Sequence, residues 1–378
     1  MNISDIKRDY FMLKGPLAKK GYDWWWHSLT AVNKKTGEQK PFFIEYFTCN
    51  PALAEDEPVI VWNDPEAQTS GKRPSYLMVK VGFWGRDLKG QLHRFFPWKD
   101  VDIVKDGPID IKAGDCGCTE KHIYGSVHIT PEEAAAHPEW MCDAGDMEWD
   151  LKVNKKIAYN VGYGASGFFR KLNAFEMFWH AEGMKTEYDG WIKLNGVEYT
   201  VKPDTCYGYA DKNWGGDFTS PWVWLSSSNL VSNVTGARLE NSVFEVGGGR
   251  PKAFGIALNR KLLGQFYYEG ADYEFNFSKF WTGSKTYFDC QETDTEIIWH
   301  VTQTTFRAKM EVEVHCYKED MIFINYEAPN GTKRHNRLWN GGNGKGTVKL
   351  YVKNKGEWTL LDEVTAENIG CEYGEYDS

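Results

Sequence analysis

In residues 306–316, FRAKMEVEVHC, apolar and polar side chains alternate without a break. Phe306, Ala308, Met310, Val312, Val314 and Cys316 fall on one side, and Arg307, Lys309, Glu311, Glu313 and His315 on the other. Successive side chains of an extended chain point to opposite sides, so period two predicts an antiparallel strand with one wet face. VKLYVKN at 348–354 repeats the pattern. YDWWWHSLTAV, KPFFIEYFT, SYLMVKVGFW, GWIKLNGVEYTV, PWVWLSSS and DMIFINYEA read as further strands. Turn signals such as Leu-Asn-Gly-Val and Ala-Pro-Asn-Gly punctuate the sequence. Helix signals are confined to Thr130-Pro131-Glu132-Glu133 and the alanines after it, where an N-cap Thr, Pro at the first position and acids in the first turn predict one short helix.

Short antiparallel strands with so little helix predict an all-β chain, folded as barrels or sandwiches. At 378 residues it exceeds the size at which one hydrophobic core stops growing. Two β domains in tandem are expected, 1–168 and 169–378, divided at the glycine-rich VGYGASGFF of 161–169.

The longest apolar runs, such as PVIVW at 58–62, are too short to span a bilayer. The net charge of −9 argues against a nucleic-acid partner, whose affinity would rest on Lys and Arg. The N-terminal MNISDIKRDYFMLKG has neither the apolar core of a signal peptide nor the acid-poor character of a transit peptide, so a soluble cytoplasmic protein is expected. The eight cysteines follow no disulfide framework and suit free thiols. Aromatic residues make up 15% of the chain, which suits either ordinary cores or the lining of a cavity for a flat or polyunsaturated ligand.

Familiar catalytic motifs are missing. In Glu245-Val-Gly-Gly-Gly-Arg-Pro-Lys the Pro and the lack of a following helical pattern argue against a phosphate loop, and a turn or bulge is expected. Cys116-Gly-Cys118, with His122 and Cys142, is spaced too tightly for an ordinary zinc set, and no metal is expected. The segment 207–218, YGYADKNWGGDF, interleaves polar residues with aromatics. If extended, it sets Tyr207, Tyr209 and Asp211 on one face. An acid among rings has its charged form desolvated and can hold a proton near neutral pH; the alternative is a polar hairpin corner. Trp24-Trp-Trp-His27 and Phe175-Glu-Met-Phe-Trp-His180 each end in a histidine that could move protons or simply be hydrogen-bonded. Glu45, within FFIEYF, is expected either to bind a ligand or to form a structural ion pair.

These segments also carry a resemblance. Gly190-Trp-Ile-Lys-Leu-Asn-Gly, Ala210-Asp-Lys-Asn-Trp-Gly-Gly-Asp-Phe218 and Trp222-Val-Trp224 resemble, in order and spacing, the signature blocks of the tocopherol cyclase family. Trp25-Trp26 with Phe43-Ile-Glu-Tyr46, then Gly247-Gly-Gly249 and the glycine-rich 340–346, fit the same family. The resemblance is weakest from about 50 to 165. It implies two lipocalin-like antiparallel β domains, distantly similar to the carotenoid hydratase and fungal Diels-Alderase (AttH-type) groups. It also implies a small hydrophobic aromatic or isoprenoid substrate and no cofactor. The implied reaction is acid/base ring closure, a phenol oxygen adding to an alkene, with a hydratase or a lipocalin-type carrier as alternatives. On this reading Asp211 is the acid and His180 or Tyr209 its partner. Trp25, Trp214, Trp222 and Trp224 form the wall, and Glu45, Tyr46, Tyr207 and Asn213 complete the binding set.

Overall fold

The computed structural model describes residues 3–160, 175–250, 252–253, 256–257, 259, 261–334 and 338–375. The chain is all-β, 59% strand, arranged as a closed barrel plus a curled half-barrel sheet. The first sheet is built from β1 (Tyr22–Asn33), β2 (Gln39–Cys49), β3 (Tyr76–Phe83), β4 (Gly90–Phe96), β5 (Val101–Ile103), β6 (Asp110–Ala113), β7 (Cys116–Thr119), β8 (His122–Ile129), β9 (Gly145–Tyr159), β10 (Met177–Leu194), β11 (Val197–Val201) and β12 (Gly208–Gly215). Its order is β4-β3-β2-β1-β11-β10-β9-β8-β7-β6-β5, and β12 pairs with both β1 and β10.

The second sheet starts at β13 (Trp222–Ser227) and β14 (Asn229–Ser232) and continues through β15 (Val243–Gly249). A separate two-stranded piece follows, β16 (Lys252–Ala253) with β17 (Ile256–Ala257). The sheet resumes at β18 (Lys261–Tyr268), β19 (Ala271–Phe275), β20 (Lys285–Glu292), β21 (Glu296–Thr304), β22 (Ala308–Tyr317) and β23 (Ile322–Phe323). After a second small pair, β24 (Tyr326–Glu327) with β25 (Lys333–Arg334), it ends on the long hairpin β26 (Trp339–Asn354) and β27 (Glu357–Gly374). Its far strands approach β18 again: the Gln303 amide on β21 donates to the Leu262 carbonyl at 3.1 Å. No helix among the described residues is long and apolar enough to cross a membrane.

The divide expected at 168/169 lies outside the described residues. The sheets themselves part between Gly215 and Trp222, because β10, β11 and β12 hydrogen-bond into the first sheet. Residues 177–215, expected in the second lobe, therefore complete the first.

Alternation holds on β22, where Ala308, Met310, Val312, Val314 and Cys316 are buried and Glu313 is exposed; Phe306, expected on the same face, sits before the strand and is 67% exposed. The helix α3 (Pro131–Ala136) forms as expected, with Thr130 and Glu133 in a reciprocal capping box. Two helices lacked a clear signal, α1 (Leu17–Lys20) and α2 (Pro65–Ser70). The run of glycines in 247–249 is not a turn but the end of strand β15. Side chains are missing there because neighbours come close: a Cβ on Gly247 would lie 2.5 Å from the Trp179 ring.

Three cores result. One fills the first lobe, including Trp25, Phe42, Ile44, Tyr46 and Trp149. Another fills the second lobe, including Trp299, Met310 and Val348. The third is a seam between the sheets, where Trp24, Trp26, Phe43, Trp84, Trp179, Tyr209, Trp222, Trp224 and Leu263 pack together. Strand β1 serves two of these cores. Trp25 and Leu29 face the first lobe's interior while Tyr22, Trp24 and Trp26 face the seam, so Tyr22 through Ala31 are buried without alternation.

Candidate active site

The seam face of β12 carries Tyr209, Asp211 and Asn213. Register places Trp26 opposite Asp211 on one side, and Trp179 opposite Asn213 on the other. Asp211 Oδ2 accepts the Trp179 indole N–H at 2.8 Å and lies 3.1 Å from the Tyr209 hydroxyl. From the second sheet, Glu245 on β15 brings Oε1 to 2.5 Å from the same hydroxyl and accepts the Trp224 indole N–H at 3.2 Å. The Trp224 ring lies tilted over Tyr209 at 4.9 Å, and Trp222 meets Trp179 edge-on at 5.8 Å. Both lobes thus contribute to one buried acid centre.

Hydrogen counting fixes its protonation. Two oxygen–oxygen contacts at Tyr209 need two hydrogens, and the phenol supplies one, so the other sits on a carboxyl. Burial pushes the Asp211 carboxyl from 3.8 up to about 7, against the pull of the Trp179 and Tyr209 hydrogen bonds. Burial also drives Glu245 well above its ordinary range, and Tyr209 with it. Asp211 Oδ1 and Glu245 Oε2 are buried without hydrogen-bond partners among the described residues. Each acid thus has one oxygen able to accept a further hydrogen bond, and at Asp211 the Trp24 indole also contributes. A cavity of about 20 Å³ adjoins this centre, lined by Trp84, Met184, Tyr209, Trp224 and the serines 226–228. That is room for about a single water.

The expected residues divide between two faces of the first sheet. Asp211, Tyr209, Asn213, Trp222 and Trp224 come together in the seam, where Asn213 also accepts the Tyr22 hydroxyl at 2.6 Å. His180 does not join them: it projects from the opposite face of β10 to Trp179, with Nε2 3.2 Å from Asp9 Oδ1 and 2.9 Å from the Ser4 hydroxyl. Burial holds its imidazole neutral, down to about 3. Trp25 and Trp214 are likewise on the interior face. Lys212 lies 4.0 Å over the Trp25 ring and 5.3 Å over Trp214 while bonding Asp23. Tyr46 donates to the Gly117 carbonyl at 2.7 Å, inside the first lobe. Tyr207 precedes β12 with φ of 44°, which turns the chain before the strand; it lies near Arg238, off the Tyr209–Asp211 bridge, but still lines the small cavity beside Tyr209 and Trp224. Glu45 does face the seam, where Lys80 lies 3.6 Å away and donates to the Asn325 carbonyl of the second lobe at 2.7 Å; it forms the structural ion pair.

His27 bonds Tyr188 inside the first lobe at 2.8 Å. Cys116 and Cys118 have separate partners, the Ser126 carbonyl and the His27 ring, and no cysteine among the described residues is in a disulfide. A cluster the sequence did not suggest, Asp9, Glu120 and Glu182, has the spacing of a cation site. Lys155 occupies that role, with Nζ 2.7 Å from Glu120 and 2.6 Å from Glu182.

Glu245 and Trp179 are the two members of the centre that sequence reasoning passed over. Glu245 had a signal, an acid between Phe244 and Val246, but the glycines that follow suggested a turn.

A family model described as tocopherol cyclase-like matches residues 121–375, which span β8 through β27 and contain Tyr209, Asp211, Glu245, Trp179, Trp222 and Trp224. The chain belongs to the tocopherol cyclase-like family. It is 30% identical over 122 residues to a chloroplastic tocopherol cyclase of Zea mays, a stretch covering 32% of this chain and 23% of the maize protein. The fold is also similar to that of kievitone hydratase from Nectria haematococca, at 10% identity and a TM-score of 0.51, covering 100% of this chain and 96% of that one. CghA, solved with Sch210972, is similar at 10% identity and a TM-score of 0.50, with 95% and 90% covered. Family membership rests on the sequence match; the two structures share the fold alone.

Proposed function

We propose that this family member is a cofactor-independent isomerase that closes an oxygen ring on a hydrophobic aromatic or prenylated phenol in the seam. The observation that carries the reading is the Asp211–Tyr209–Glu245 bridge: an acid that keeps its proton up to about pH 7, walled by indoles, with an oxygen to spare. The Asp211 O–H bond breaks as its proton forms a C–H bond to an alkene carbon. The electron-rich faces of Trp26, Trp222 and Trp224 stabilise the resulting cation, and the dry surroundings protect it from water. The phenol oxygen then forms the C–O bond. Its proton returns to Asp211, directly or through Tyr209 and Glu245, and the acid is restored. With water as nucleophile the same groups would perform hydration, the kind of reaction for which kievitone hydratase is named.

In deuterated water, the cyclised product of a prenylated phenol should gain one deuterium at the former alkene carbon. D211N should yield no product, and full turnover by that variant would remove Asp211 from the role of acid.

A second reading is favoured by the small cavity: a seam filled with side chains that cements two lobes and holds no substrate. It predicts that no prenylated phenol binds or raises the melting temperature at any concentration, whereas a substrate that parts the seam stabilises the form it occupies.

A further inference from the structure

At one end of the second sheet, three neighbouring turns carry aromatic side chains into solvent. Phe280 is 83% exposed, Trp281 64%, Phe306 67% and Trp358 38%. The turns are joined: the Phe306 N–H donates to the Thr282 carbonyl at 2.9 Å, and the Lys353 N–H to the Arg307 carbonyl at 2.9 Å. The Phe280 and Trp281 rings meet edge to face at 5.3 Å, and Lys353 lies 5.2 Å over Trp358. Gly283, at φ of 65°, lets the Phe306 ring lie against its backbone, where a Cβ would come within 2.5 Å. The aromatics thus form one raised rim.

The charge around them is equally uneven. Residues 276–287, 304–310 and 353–358 hold six Lys or Arg (Lys279, Lys285, Arg307, Lys309, Lys353, Lys355) against one acid, Glu357, in a chain of net charge −9. Lys279 and Lys309 are paired with Glu274 and Glu311. Lys285, Arg307, Lys353 and Lys355 are exposed and have no ion pair among the described residues. Aromatic rings flanked by unpaired cations are what the boundary between lipid headgroups and acyl chains accepts: rings enter the boundary while ammonium and guanidinium groups meet anionic headgroups.

We propose that this rim docks the protein on an anionic membrane surface. A twofold contact with a second copy would set these cations against themselves, so the charge favours lipid. The inference is independent of the acid centre. It concerns an aqueous protein resting on a bilayer, not a segment crossing one.

The experiment is flotation of the full chain with phosphatidylcholine vesicles, with and without about one third phosphatidylglycerol. Binding is expected only to the anionic vesicles and should fall about tenfold or more in K285E/R307E/K353E, in F280S/W281S and at high salt. All five positions are exposed, and unchanged melting temperatures should accompany the loss. A readout on the wild-type rim needs no charge variant: brominated acyl chains should quench the emission that W281F removes. Three results would each overturn the proposal. They are absence of binding to anionic vesicles, unchanged binding by both variants, and a concentration-dependent dimer that the same variants abolish.

Discussion

Asp211 and Glu245 sit on different sheets, yet their carboxyls meet at a single phenol, the Tyr209 hydroxyl, 3.1 Å from one and 2.5 Å from the other. The first lobe supplies the acid and the second supplies its neighbour, so this contact exists only when the seam is closed.

Replacing Asp211 should separate stability from activity. Its carboxyl is raised on folding from 3.8 to about 7. Its contribution is therefore fully present below the unfolded value and is lost as pH rises through the folded one. D211N cannot ionise, so it should flatten the fall in stability between these pH values. At pH 8 it should unfold with a free energy higher by on the order of 1–3 kcal/mol, while losing turnover. Denaturant titrations across pH, beside product assays, check both.

Y209F removes the bridging oxygen and leaves both acids one partner short. Unfolding should become easier by about 1–2 kcal/mol, the cost of buried polar groups left unmade. The alkaline limb of the pH–rate profile, where Asp211 loses its proton, should move as well, which a packing defect alone would not cause.

Glycine 247 tests a longer link. A methyl group there meets the Trp179 ring, which donates to Asp211. G247A should cost about 1–3 kcal/mol by overpacking and should lower turnover. W179F, which removes the indole N–H that Asp211 accepts, should reproduce the loss of turnover by a different route, leaving a void where G247A overpacks.

His180 should prove dispensable for the chemistry. It lies across the sheet from Asp211, near Asp9 and Ser4. H180Q is expected to keep turnover within about twofold while loosening the N-terminal segment, which limited proteolysis reads directly. A collapse of kcat with an unchanged melting curve would contradict this placement.

The pair Lys212–Asp23 is completely buried. K212M should destabilise by about 3–5 kcal/mol through the stranded carboxylate, and K212M/D23L should recover most of that loss.

Much of this was legible in the chain. β22 announced itself because one face is wet, and Thr130 with Glu133 announced the helix it caps. β1 gave composition but no face, because Trp24 and Trp25 are both buried, against different cores. Hence Trp25 and Trp222 could be grouped by residue type although they face different interiors. The segment around Asp211 was found from its interleaved polar and aromatic residues. Its partner Glu245 was not, because the pairing spans two sheets and the glycines after it answer to distant neighbours, Gly247 to the Trp179 ring and Gly249 to the Pro221 carbonyl. His180 was placed by motif and misplaced by one residue of register, since neighbours on a strand point apart.

The two-sided burial of β1 has a consequence for how such a molecule can be inherited and broken. A strand that is inner wall to one lobe and outer wall to the other cannot be exchanged with either lobe alone. Recombination that swapped a lobe would leave a row of tryptophans facing the wrong neighbour, and heating should melt both lobes in one transition. Either lobe without the other would leave one side of β1 with nothing to cover it.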